Sequence, residues 1–268
     1  MKKSHEASAS ATGYLFQCRY ALFLGLKATF DSPQLEISIE KFDDIAFELG
    51  GNATELIQTK HHLGKTGNLS NSSVDLWKTL LIWAKQAASN SDVLFRTRFV
   101  LLTTRNAPDK SAASLLRVID RDETEADRLL QLAAAKSKSK ENVEAYSAYT
   151  SLPDDVRVSL LRAVCILDNS SNILEVREDI ARELHRAVGR HQIDHFVERL
   201  EGWWFGEVIR SLSASTPKSI PVMAIETRID ELREEFKRAS LPVDFKTATP
   251  PGGIVADYDR RPFVRQLR

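Results

Sequence analysis

The chain has 268 residues, 43% of them hydrophobic and 28% charged, and its 37 basic and 37 acidic side chains cancel to zero net charge. That suffices for one large domain or two small ones with a real apolar core, while the neutral total advertises no nucleic-acid partner and leaves any such surface to local asymmetry. There is no apolar run of about 18 residues and no apolar stretch behind the two lysines at the start, so neither a membrane span nor a signal peptide is expected.

In chain order, Gly13 to Ala28 shows helical spacing of Tyr14, Leu15, Cys18, Ala21, Leu22 and Leu26, with Gln17 as a polar residue among core positions. Leu35 to Glu40 alternates with period two and predicts a strand. Ile45 to Leu49 predicts a second. Gly50-Gly51-Asn52 predicts a hairpin turn, and Thr54 to Lys60 a third strand. Beyond a loop at 64–73, Ser72 or Ser73 can cap a helix from Val74 that carries Trp77, Leu80, Leu81 and Ala84. Arg96 to Thr104 predicts a buried strand.

After Pro108 the pattern turns helical: 109–132, 141–149, 153–164, 179–188, 193–212 and 221–239 are expected helices, with a basic spacer at 136–140. Cys18 and Cys165 each sit in a helix-like apolar run and lack metal-type spacing, so buried thiols in a reducing cytoplasm are expected. Pro250 to Gly253 is an expected linker. Arg261 to Arg268 looks like the first turns of a helix cut off, as in a truncated chain. The expected division is a core at 1–110, a helical region at 111–213 and a helical segment at 214–268.

Charge is unevenly placed. Seven acidic residues and one basic one lie between Asp31 and Ile57, whereas Gln58 to Lys110 holds eight basic and three acidic ones. Crowded carboxylates repel unless a cation sits among them, and the basic stretch suits a phosphate backbone. Gln58 and Lys60 are two apart on a strand and share a face. The hairpin brings them back beside Asp43 and Asp44. That patch suits phosphodiester hydrolysis: Asp44 as a hard oxygen ligand, Gln58 and the Thr59 carbonyl as neutral ones, and Lys60 polarising the attacking water.

Asp44 followed by Gln58-Thr59-Lys60, on the order α-β-β-β-α-β, resembles the PD-(D/E)XK nuclease superfamily, with Gln in place of the usual acid. The runs Ile39 to Ile45 and Leu56 to His61, with Gly13-Tyr14-Leu15-Phe16-Gln17 upstream, are similar to the double-stranded-DNA nuclease effectors of bacterial anti-phage defence. The resemblance implies an α/β restriction-endonuclease-like core over about Gly13 to Thr104 and a Mg²⁺- or Mn²⁺-dependent DNA endonuclease. Its catalytic residues would be Asp44, Gln58 and Lys60. Gln17, Glu40, Asp43 and His61 would support them. Gly202 to Phe205, Leu241-Pro242 and Arg261 to Leu267 resemble the C-terminal module of ABC-three-component defence systems, which implies an ABC-type ATPase or a second copy as partner.

Plainer roles stand beside these. A solvated hairpin with salt bridges would also explain Asp43, Asp44 and Lys60. Glu40 can be a strand-end charge, and Gln17 can satisfy a backbone group. Gly64-Lys65-Thr66 hints at a phosphate loop, but Thr59 stands where the Walker pattern needs glycine. His191 and His195 are spaced for one helix face but lack a third ligand nearby. Trp203 and Trp204 are core or interface anchors. The rival class is a non-catalytic adaptor that binds nucleic acid or protein through a degenerate site.

Overall fold

The computed structural model describes residues 2–62, 67–137 and 139–237. Gly64 to Thr66, Lys138, Leu241-Pro242, Pro250 to Gly253 and Arg261 to Arg268 lie outside the described residues.

The chain opens with one long helix, α1 (Lys2–Asp31). It starts earlier than the spacing implied, since no proline or glycine precedes Gly13 to stop it. Pro33 follows its end. Then come β1 (Glu36–Ile39), β2 (Ile45–Leu49) and β3 (Asn52–Lys60). Gly50 and Gly51 both take positive φ, 58° and 79°, which is the conformation a two-residue hairpin turn requires. Next are α2 (Val74–Ser89), the single turn α3 (Val93–Arg96) and β4 (Arg98–Thr103). Ser73 does precede α2, but its side chain makes no capping hydrogen bond.

The helix expected from 109 starts only at α4 (Glu123–Lys136). Lys110 and Asp120 adopt φ of 60° and 56°, which a right-handed helix excludes, and Asp122 caps α4 by accepting from the Glu125 amide at 2.9 Å. After α5 (Val143–Thr150) and α6 (Asp154–Ala163) the chain does not stay helical. Val164–Leu167 is a strand, β5, so Cys165 lies in the sheet rather than on a helix. Its run Val-Cys-Ile-Leu is short and β-branched at Val and Ile, which suits a buried strand. α7 (Ile173–Glu183), α8 (Ile193–Leu212), a two-residue β6 (Ile220–Pro221) and α9 (Val222–Glu235) complete the described part.

Among the described residues, six strands form one mixed sheet in the order β5-β4-β3-β2-β1-β6. β1, β2 and β3 form an antiparallel meander, whereas β3-β4 and β4-β5 are parallel. The sheet therefore draws strands from all three segments of the expected division. Alternation along the strands divides the core. Ile37, Ile39, Ile45, Ile57, Val100 and Leu102 pack against α1, α7, α8 and α9 on one face. Ala46, Leu56, Phe99 and Leu101 pack against the layer of α2 and α4 to α6 on the other. Where α1 crosses the sheet, Gly25 leaves so little room that a Cβ there would stand 2.5 Å from Ile225 and 2.7 Å from Ile37.

Among the described residues no helix is long and apolar enough to cross a membrane.

Candidate active site

The meander ends where β1 turns into β2, at residues 40–44, and this turn lies beside the C-terminal end of β3. Glu40 is held at φ 57°, unusual for a residue with a Cβ, and its amide donates to the Asp44 carbonyl at 3.3 Å, closing the turn. Lys41, within it, donates from Nζ to Glu48 at 2.6 Å and to Ser219 Oγ at 2.9 Å. Ser219 Oγ in turn donates to Glu48 at 2.8 Å. Glu48 is fully buried, so this triangle satisfies a carboxylate that would otherwise be costly.

The register pairs Ile45 with Ile57, which brings 43 and 44 beside 58 and 59. Lys60 Nζ donates to Gln58 Oε1 at 3.1 Å, so the two share a face. The carboxylate that meets Gln58 is that of Asp43, which accepts from Gln58 Nε2 and, at 2.9 Å, from the Asp44 amide. Asp44 turns to Thr59: one carboxylate oxygen accepts from its amide at 2.7 Å and its hydroxyl at 3.0 Å. The expected patch is thus split across two neighbouring strand positions, with Asp43, Gln58 and Lys60 in one hydrogen-bonded chain and Asp44 with Thr59 in the next. No hydrogen bond joins Asp44 to Gln58 or Lys60 in the described structure.

The electrostatics follow from burial. Asp43 is pushed up to about 7, mainly by desolvation and further by the Asp44 charge. Lys60 opposes the rise. The Trp83 indole lies near enough to oppose it too, yet its N–H closes no hydrogen bond. Glu40 is also raised, by desolvation first and then by Asp44, against a hydrogen bond from Gln17. Gln17 Oε1 is buried with no donor facing it. His61 is held below its ordinary range by desolvation and by His62. Its ring stacks on Phe16 with centroids 4.4 Å apart, and its Nε2 accepts from the Ile173 amide at 3.3 Å, so the neutral form fits.

Several neighbours were not assigned to the site from the sequence. Tyr14 and Cys18 lie with Gln17 on one face of α1, and burial raises both. The Cys18 thiol goes up to about 11, with Tyr14 as its hydrogen-bond partner. The i, i+3, i+4 spacing of 14, 17 and 18 is the signal that could have grouped them. Asp75 joins His62 Nε2 at 2.8 Å to Arg105 at 2.9 Å. With Asn169, Ser170 and Asn172 these two border a polar cavity of about 490 Å³ at the carboxyl ends of β3 to β5. The α7 terminus there is already satisfied, because Asn172 and Glu175 form a capping box.

Other expected residues lie elsewhere. His191 belongs to a short turn before α8 and His195 is exposed on α8, 3.4 Å from Glu198. Trp204 is fully enclosed and donates to the Cys18 carbonyl at 2.7 Å, which makes it an anchor of α8 on α1. Trp203 is partly buried against the same core. Among the described residues, no three His, Cys, Asp or Glu side chains gather as a metal cage of their own.

The fold is that of an α/β protein on a mixed six-stranded sheet. No protein-family model matches the chain, and no curated protein matches it. Among solved structures it is similar to the Moraxella osloensis Cap4 SAVED/CARF-domain containing receptor, at 15% identity and a TM-score of 0.46. The match covers 84% of this chain and 49% of that one, so this chain spans about half the length of the receptor.

Proposed function

We propose that the chain is a metal-dependent nuclease of the PD-(D/E)XK type, a DNA endonuclease of anti-phage defence. The observation that supports it most is the juxtaposition of Asp43, Gln58 and Lys60 in one hydrogen-bonded chain beside Asp44, at the mouth of the β2-β3 hairpin.

A divalent cation fits the residues present. Glu40, Asp43 and Asp44 crowd negative charge, and the Asp44 charge raises both of the others. The buried Gln17 Oε1 beside Glu40 has no donor. Both features are relieved by a cation. Mg²⁺ typically takes one or two carboxylates and keeps waters, so a full carboxylate cage is not required. Asp44, the Gln58 amide oxygen and the Thr59 carbonyl would hold it, with Glu40 and Gln17 as further oxygens. Once bound it supplies Lewis-acid polarisation of the phosphodiester and a more acidic water.

The chain's own groups do the rest. Lys60 Nζ sets a positive charge where a phosphoryl oxygen becomes more negative. Asp43, whose burial favours proton uptake, takes the proton of the attacking water on the carboxylate oxygen not engaged by Gln58. Water adds to phosphorus, one ester P–O bond breaks, and the departing oxygen gains a proton. Phe16 and Ile173 hold His61 neutral beside Lys60, so it adds hydrogen-bonding capacity without charge.

The test is plasmid cleavage with Mn²⁺ or Mg²⁺, with and without a partner ATPase. Lys60→Ala and Asp44→Ala are each expected to lower the rate by about 10²-fold or more, with Lys60→Ala leaving the melting temperature nearly unchanged. Full activity in a folded Lys60→Ala protein would overturn the site. The adaptor reading is favoured by the Asp44–Thr59 clamp, which gives that carboxylate a structural role. Isothermal titration separates the two, since an adaptor takes up no divalent cation at this site.

A further inference from the structure

At the opposite end of the sheet from Lys60, β3 and β4 begin side by side, with Glu55 in register with Arg98. Here α3, the strand starts and the end of α6 enclose an open depression of about 400 Å³. Arg96, Arg98 and Arg162 line it together with Phe95, Thr54 and Glu55. All three arginines are exposed, and none makes an ion pair or donates a side-chain hydrogen bond within the described structure. That sets them apart from Arg19, Arg105, Arg117, Arg121 and Arg157, each committed to a carboxylate. Phe95 is 81% exposed, a large apolar cost for a side chain on a four-residue helix.

Arginine forks suit phosphate oxygens, and an exposed ring beside them suits the face of an unstacked base. Glu55 is the acidic group facing this cluster and offsets part of one guanidinium charge. Glu123, within electrostatic reach of Arg162, is already engaged by Arg121. A small nucleotide would be expected to lie in a closed cavity that buries most of its surface, whereas this depression is open and suits a strand laid across it. We propose that the Arg96–Arg98–Arg162 depression, with Phe95, binds single-stranded nucleic acid through phosphate contacts and one stacked base.

Glu55 and Lys60 are five strand positions apart, about 16 Å. The depression is therefore separate from the candidate active site, and the proposal does not depend on cleavage. The test uses the full chain in excess EDTA, where no metal-dependent cutting occurs, and measures the anisotropy of a labelled single-stranded oligothymidylate across a salt series. Arg96→Gln/Arg98→Gln/Arg162→Gln is expected to weaken binding at least tenfold at low salt. It should also flatten the slope of log affinity against log salt by about 2, for roughly 0.7 per phosphate contact. The corresponding triple Arg→Lys protein should keep most of the slope. Phe95→Ala should lose about tenfold in affinity with the slope unchanged. All four positions are exposed, so melting curves should match the parent. Unchanged affinity and slope in a folded triple Gln variant would overturn the proposal. So would equal losses on a blunt duplex, or displacement of the oligonucleotide by micromolar ATP.

Discussion

At the scale of single residues, Asp43 has the most testable property. Its carboxyl stands at about 7 against an ordinary 3.8, chiefly because burial disfavours the charged form. Between those values the folded chain holds a proton that the unfolded chain has lost, so stability falls as pH rises through that window. Asp43→Asn removes the titration and can still accept from Gln58. In metal-free buffer its melting temperature relative to the parent should be several degrees higher at pH 8 than at pH 4.5, for a free-energy difference on the order of a few kcal/mol. The same offset at both pH values would show that Asp43 is not so perturbed. How the site reads from sequence differs residue by residue. Gln58 and Lys60 could be placed on one face from strand periodicity alone. The choice between Asp43 and Asp44 as partner of Gln58 could not, because it depends on how a five-residue turn with Glu40 at positive φ aims two successive side chains. Trp83 was invisible as a neighbour for a different reason: it reaches the site from a helix packed on the sheet, through a contact that no local pattern encodes.

At the scale of elements, the meander and its two flanking helices were legible, since alternation, the Gly50-Gly51 turn and the i, i+3, i+4 stripes are local signals. β5 and β6 were not. Four residues and two residues carry too little periodicity to stand out beside neighbouring helices, and both strands form by pairing with distant partners, β4 and β1. The α1 crossing offers the sharpest element-level prediction. Ile37 and Ile225 are both fully buried, and their methyl ends close over Gly25. Gly25→Ala gains helix propensity of about 1 kcal/mol and loses a similar amount to crowding, so a small net change is expected. Gly25→Leu must displace both isoleucines and should cost about 2 kcal/mol or more. Urea unfolding of the two variants checks this, and a Leu variant as stable as the Ala variant would mean that α1 can lift from the sheet freely.

For the whole molecule, a net charge of zero conceals a strong internal sorting. The basic excess between Gln58 and Lys110 does not form one patch in space. Lys60 faces the candidate active site, Lys85 pairs with Glu144 and Arg105 with Asp75, while Arg96 and Arg98 join Arg162 at the other end of the sheet. Linear charge counting detected the asymmetry but could not divide it, because the parallel β3-β4 pair makes the chain cross back between the strands, so Arg96 and Arg98 stand at the start of β4, at the end of the sheet opposite Lys60. The segmental division expected from composition meets the same limit. A switch from strand-rich to helix-rich sequence marks where elements change, yet residues 164–167 and 220–221 return to complete the sheet begun by residues 36–60.

The Lys41–Glu48–Ser219 triangle also bears on the order of events during synthesis. Lys41 and Ser219 are 178 residues apart, so at about 5–20 residues per second the turn carrying Asp43 and Asp44 waits roughly 10–35 s on the ribosome for its last anchor. Until then Glu48 and Lys41 lack the hydroxyl that bridges them, and β1 has an open edge where β6 will pair. We infer that the nascent chain carries its acidic turn loosely and tightens it only when nearly every described element has emerged. Chains halted at residue 213 should be cut by protease within residues 40–44 much faster than chains halted at 237, and equal rates would break the link between late synthesis and a finished site.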